Sequence, residues 1–144
     1  MRNPGGLARL PVSAYLCAMP RDAFSHVTTW VFDLDQTLYP PEARLFDLIE
    51  ARMVDWVMRA IKVDRAEAYG TTLAGLMREH GVDPGPYLTD VHDIPMDRLT
   101  PDPLLAQAIR VLPGRRIVYT NGCAPYAERV LEARGLSGLF DAVY

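Results

Sequence analysis

The stretch Thr28-Thr29-Trp30-Val31-Phe32-Asp33-Leu34-Asp35-Gln36-Thr37 decides the fold. Its first five residues are β-branched or aromatic, the composition of a short buried strand, and acidic and polar residues follow with no spacer. A strand that runs straight into Asp33 and Asp35 places two carboxylates at the carboxyl end of a sheet, the edge at which open α/β sheets bind ligands. Carboxylates one residue apart can face a common pocket as the chain leaves the strand, so that one attacks an electrophile while the other carries protons. Asp-x-Asp by itself is also an ordinary pattern of solvated turns. The apolar strand before it and Thr37 after it are what favour chemistry.

Downstream the apolar residues change period. After Pro40-Pro41, residues 42–61 carry Leu45, Ile49, Trp56, Val57, Ala60 and Ile61 mostly on one side at helical spacing, which predicts an amphipathic helix. A second helix is expected over 64–80, with Asp64 available as N-cap and Gly81 as its stop; Gly70 and Gly75 weaken it, although Gly75 would permit close packing. Residues 82–101 are rich in proline and aspartate and are expected to be mostly loop, returning the chain from the helical pair and marking a domain boundary. Asp102-Pro103 then supplies an N-cap and a proline at the first helical position, ahead of the stripe Leu104, Leu105, Ala108, Ile109 and Leu112. That helix should end near Pro113-Gly114. Residues 116–120 read as a second strand, 125–134 as a helix stopped by Gly135, and 140–144 as the start of a third strand. Strands alternating with helices predict an α/β fold with a Rossmann-like parallel sheet, and the helical stretch inserted after the first strand reads as a small second module.

Thr120-Asn121-Gly122 lies at the carboxyl end of the second predicted strand, just ahead of a helix expected to begin at Pro125. The unpaired N–H groups and dipole of a helix N-terminus favour a phosphate, and a threonine hydroxyl adds a donor to a phosphoryl oxygen. The same three residues also suit a plain strand-to-helix turn in which Asn-Gly supplies the backbone angles.

The 144 residues are 49% hydrophobic, enough for one sizeable core. Fifteen basic residues stand against 18 acidic ones with no basic run, so nothing tracks a nucleic-acid backbone and a small-molecule substrate is expected instead. Cys17 and Cys123 build neither a disulfide framework nor a zinc site, which points to a reducing, cytoplasmic setting. Arg2 and Arg9 ahead of the modestly apolar residues 10–19 loosely imitate a secretory signal. Pro11 and Ser13 interrupt it, no small-x-small site follows, and no window approaches the length of a membrane span. Residues 1–25 are therefore expected to form a disordered extension, with Met19 an alternative start. His26, His80 and His92 lack metal-ligand spacing, Met53, Trp56 and Met58 read as packing, and Cys123 reads as a small turn residue. Nothing in the sequence sets an oligomeric state.

Together, Phe32-Asp33-Leu34-Asp35-Gln36-Thr37-Leu38-Tyr39-Pro40 resembles the first motif of the haloacid dehalogenase superfamily, and Thr120-Asn121-Gly122 resembles its second. The first is most similar to that of the pyrimidine 5'-nucleotidase-like branch, in which an asparagine is typical where this chain has Gln36. The resemblance runs over about residues 30–144. It implies the first half of an α/β core over 26–40 and 101–144, with a helical cap over 41–100. It also implies that Asp33 is the nucleophile and forms an aspartyl-phosphate, while Asp35 protonates the leaving oxygen and then activates water. Thr37 would brace the loop, and Thr120 with the amides of Asn121 and Gly122 would hold the phosphoryl oxygens. Mg²⁺ would bind Asp33 and the main-chain carbonyl of Asp35. The implied activity is magnesium-dependent hydrolysis of a small phosphorylated metabolite, a pyrimidine nucleoside 5'-monophosphate first among them. In the dehalogenase branch the residue two after the nucleophile is not an acid, because no leaving alkoxide needs a proton.

The same resemblance implies a lysine beyond the second motif and metal-binding acids after a later strand. The one lysine is Lys62, upstream of that motif; Glu128 and Glu132 fall on a helix, and Asp141 falls near the start of the third strand. The cap also looks short between Ala68 and Thr71. The chain is therefore expected to stop short of the back half of the site and of the strands that would cover the far side of the first strand. Alone it would be an inactive fragment with a bare apolar edge and poor solubility.

Overall fold

The computed structural model describes residues 24–64 and 73–144. Most of the expected N-terminal extension with Cys17 and Met19, the onset of the second helix with Gly70, and the short stretch between Ala68 and Thr71 lie outside the described residues. The elements are β1 (Thr29–Phe32), α1 (Leu45–Ile61), α2 (Leu73–His80), α3 (Pro84–Val91), α4 (Pro103–Arg110), β2 (Arg115–Val118), α5 (Ala124–Ala133) and β3 (Ala142–Val143). The three strands form one parallel sheet in the order β1-β2-β3. This is the expected α/β fold, with helices α1 to α3 inserted between β1 and the α4–β2 unit.

Residues 82–101, expected to be mostly loop, contain α3. Asp83 is its N-cap and accepts the Gly85 N–H at 3.0 Å, with Pro84 at the first position. Proline and aspartate here start a helix rather than break one, as Asp102-Pro103 does for α4, where Asp102 accepts the Leu105 N–H at 2.9 Å. Asp90 at the end of α3 receives Arg52 at 2.8 Å and Arg59 at 2.7 Å, both from α1, and the Trp56 and Tyr87 rings meet edge-on at 5.0 Å. Helix α4 ends at Arg110, ahead of the expected Pro113-Gly114; it buries Ile109 of the expected stripe and Ala106, which lies outside that stripe, while Leu104 stays 48% exposed.

The β1–β2 ladder needs Gly114: its φ is +78°, and a Cβ there would run into the Thr28 carbonyl that accepts the Arg115 N–H at 2.9 Å. Paired positions of a parallel ladder share a face. Phe32, Val118 and Val143 line the face packed on the core, and Phe32 meets Phe140 edge-on at 5.5 Å. The other face carries Val31, Ile117 and Ala142, and Val31 is 62% exposed. The expectation that β1 is a buried strand is thus met on one face only. An apolar run looks the same in sequence whether one face or both are covered.

One buried cluster joins the two parts of the chain. It includes Leu34, Leu38 and Tyr39 after β1, Leu45, Ile49, Val54 and Val57 of α1, Tyr87 and Val91 of α3, Ile109 of α4, and Tyr126 and Val130 of α5. Each fully buried large side chain contributes about 1.5–3 kcal/mol relative to exposure. Buried Arg134, just past α5, ties the segments around this cluster: it donates to the carbonyls of Leu38 and Thr100 and pairs with Asp102 at 2.8 Å.

Candidate active site

The parallel register pairs Phe32 with Val118, so the carboxyl ends of β1 and β2 lie side by side, about 4.8 Å apart as adjacent strands are. The Tyr119 N–H donates to the Phe32 carbonyl at 2.8 Å, one residue short of Asp33 on one chain segment and of Thr120 on the other. On the far side, the Thr120 N–H donates to the Tyr144 carbonyl at 2.8 Å. Both expected motifs therefore leave the sheet at the same edge.

The loop after β1 is a tight turn anchored by its apolar residues. Leu34 and Leu38 are buried, and the N–H groups of Thr37 and Leu38 both donate to the Leu34 carbonyl, at 3.3 and 3.0 Å. Gln36 bridges the turn at φ +57°, in the left-handed region. Exposed Asp33 has its Oδ1 fixed by the Leu34 N–H at 2.8 Å, which leaves Oδ2 for an incoming electrophile. Thr37 serves the turn through its main chain, and its side chain is exposed. Half-buried Asp35 is held differently. Its Oδ1 accepts the hydroxyls of Tyr39 at 2.8 Å and of Tyr126 at 2.7 Å.

In the second loop the Gly122 N–H donates to Thr120 Oγ1 at 3.0 Å, so this amide, expected among the phosphate donors, has a partner inside the loop. The Thr120 hydroxyl accepts there and keeps its own hydrogen for another acceptor. Asn121 is exposed, and Gly122 lies so close to Tyr126 that a Cβ would sit 2.7 Å from ring atom Cδ1. Cys123 occupies the N-cap position of α5 without capping it. Asp141 lies at the other end of the sheet, where it accepts the Arg116 N–H at 2.7 Å.

Three residues that sequence reading left without a role complete the site. Tyr39 and Tyr126 hold Asp35, and His92, from the segment after α3, stacks on Tyr126 with centroids 4.7 Å apart and planes 21° apart. Burial, reinforced by the Asp35 charge, pushes both phenols well above the usual tyrosine range, so both remain protonated donors. Burial pushes His92 down, against a donated bond from its Nδ1–H to the Leu88 carbonyl at 2.9 Å. The signal available in sequence was slight: a buried tyrosine needs a partner for its hydroxyl, and Tyr39 comes four residues after Asp35.

No protein-family model matches the chain. Among solved structures it is similar to L-2-haloacid dehalogenase from Xanthobacter autotrophicus with chloropropionic acid covalently bound, at 21% identity and a TM-score of 0.40. A second structure of L-2-haloacid dehalogenase from the same organism is 23% identical with a TM-score of 0.36. Both matches cover 81% of this chain and 55% of the other, so the chain spans little more than half the length of the structures it resembles.

For a metal ion, the nearby hard donors are the Asp33 carboxylate and the Asp35 main-chain carbonyl, and no group of three histidine, cysteine or acidic side chains forms among the described residues. Such a set fits Mg²⁺, which uses one or two carboxylates and fills its octahedron with water and substrate phosphate, better than a metal needing an all-protein cage. No helix among the described residues is long and apolar enough to cross a membrane.

Proposed function

We propose that the protein is a phosphomonoester hydrolase acting on a small phosphorylated metabolite, with a pyrimidine nucleoside 5'-monophosphate the first candidate. One observation carries this reading: Tyr126, on the helix that follows Thr120-Asn121-Gly122, bonds Asp35 of the first loop, so the two motifs build one site. Asp33 Oδ2 attacks phosphorus, the bond from phosphorus to the leaving oxygen breaks, and Asp35 gives that oxygen its proton. Water then attacks the aspartyl-phosphate, Asp35 takes the proton from water, and the bond from phosphorus to Asp33 breaks, releasing phosphate. Thr120 and the Asn121 amide offer donors to the phosphoryl oxygens. Asp33 and the main-chain carbonyl of Asp35 would hold Mg²⁺, which would supply charge neutralisation for the phosphoryl group. An acid at position 35 is what a leaving alkoxide requires and a leaving halide does not.

A second reading concerns the 144 residues on their own: they lack turnover. Lys62, the one lysine, is exposed at the end of α1, while Arg129 and Arg134 are committed to main-chain carbonyls. A carboxylate attacking a phosphate dianion then meets repulsion that no described cation offsets. Hydrolysis of p-nitrophenyl phosphate with Mg²⁺ tests both readings, using the chain, a version extended downstream to carry the implied lysine and acids, and Asp33→Asn in each. The extended version should turn over and lose about a thousandfold or more in Asp33→Asn. Full activity in Asp33→Asn, or none in either wild-type form, would end the phosphatase reading. Turnover by the chain alone through Asp33 would end the second reading.

A further inference from the structure

Asp35 has two carboxylate oxygens, and the structure treats them differently. Oδ1 receives Tyr39 at 2.8 Å and Tyr126 at 2.7 Å. A carboxylate oxygen offers two lone pairs, and each phenol has one proton to give. The 3.3 Å approach of the two hydroxyl oxygens follows from their common acceptor and is not a third bond. With both lone pairs of Oδ1 filled, a proton on Asp35 has to sit on Oδ2. We propose that Tyr39 and Tyr126 are positioning residues that anchor Oδ1 and so assign the travelling proton of Asp35 to Oδ2; the inference rests on the phosphatase reading above.

The anchor is itself rigid. Tyr39 is 1% and Tyr126 0% exposed. Three segments fix the Tyr126 ring: Gly122 of the second loop, whose missing Cβ makes room for it, α5 on which it stands, and His92 stacked against it. His92 in turn is fixed by its bond to the Leu88 carbonyl, and Arg129 of α5 donates to the carbonyls of His92 and Ile94. The segment that closes the helical insertion thus helps set where the acid points. In the first half-reaction Oδ2–H passes its proton to the leaving oxygen as the bond to phosphorus breaks. In the second, Oδ2 takes a proton from water as the water oxygen bonds phosphorus and the bond to Asp33 breaks. Oδ1 stays in its two hydrogen bonds throughout, so the carboxyl need not turn over between the steps.

The test uses leaving groups. p-Nitrophenolate departs as an anion, whereas a simple alkoxide must be protonated, so only the second depends on how well Oδ2–H is aimed. Tyr39→Phe and Tyr126→Phe keep the rings and delete one hydroxyl each. In the form that turns over, each should lower kcat/KM for propyl phosphate about tenfold more than for p-nitrophenyl phosphate, the size of one hydrogen bond to a charged group. The double variant and Asp35→Asn should show the same selectivity, enlarged. Equal losses on both substrates, with Asp33→Asn dead and Asp35→Asn selective, would overturn the anchor and leave the phosphatase reading standing. Full activity in Asp33→Asn, or no turnover in any form, would remove both. The anchor is also readable without catalysis, in the 144-residue chain by proton NMR. Two slowly exchanging tyrosine hydroxyl resonances are expected, one lost in each Phe variant and both moved by Asp35→Asn; their absence would overturn the geometry.

Discussion

His92 is held neutral in the fold by burial, with the Asp35 charge and the Leu88 carbonyl acting to raise its pKa and Arg129 acting with burial to lower it. The unfolded chain takes up that proton near pH 6.5, whereas the folded chain does so only at lower pH. Between those two values the unfolded state binds more protons, so stability rises with pH and the contribution is complete above about pH 6.5. Urea midpoints from pH 5 to 7.5 should therefore fall toward acid, and His92→Phe, which keeps a ring against Tyr126, should flatten that slope; an unchanged slope would mean the histidine titrates freely when folded. At this scale the sequence was legible where a residue acts on its neighbours. Asp33 and Asp35 announce themselves through the strand before them, and the strand-to-loop change at Thr120 is equally local. It was not legible where the partner is distant: nothing around Tyr126 or His92 indicates Asp35. Gln36 lies between these cases. Its φ of +57° belongs to a region that asparagine enters more readily than glutamine does, so the one departure from the implied motif falls on a strained position.

Among the elements, the junction held by Arg134 carries the largest single consequence. Its guanidinium is almost wholly buried and serves the carbonyls of Leu38 and Thr100 and the carboxylate of Asp102, which also caps α4. Arg134→Met keeps the packing volume and strands the Leu38 and Thr100 carbonyls, while the Asp102 side chain, 37% exposed, can turn to water; the loss should be about 1–3 kcal/mol, the cost of an unpaired buried acceptor. A loss under about 1 kcal/mol in denaturant unfolding would show that water replaces the guanidinium at little cost. Helix boundaries were read well wherever a cap and a period agreed, as at Asp102-Pro103 and at Gly135, whose φ is +69°. The stretch with α3 failed because only eight residues separate its cap from its end, too few for an apolar period to outweigh a high content of proline and aspartate. Arg134 gave no signal at all, since a buried arginine looks like a surface one until its acceptors are in place.

For the whole molecule, the sheet is the exposed part of the design. Purely parallel sheets are normally covered on both faces, yet the face with Val31 is open and β1 is an edge strand among the described residues. Val31→Lys should reduce light scattering at a fixed concentration while changing stability by no more than about 0.5 kcal/mol. Unchanged scattering would place the sticky surface elsewhere, with Val111 and Tyr119 the next exposed apolar residues to change. Strand direction was legible because strands alternating with helices favour a parallel sheet; coverage was not, because it depends on what packs against the sheet rather than on the strands. The bond between Tyr126 and Asp35 spans 91 positions of the chain. Contacts so far apart in sequence close late, after the loops between them have lost their freedom. A chain still being synthesised, or one partly unfolded, carries both aspartates side by side and yet has Asp35 without its Tyr126 bond. The grip on Asp35 forms only once α5 has packed against the first loop, so the two motifs are joined by the tertiary fold and by neither loop alone.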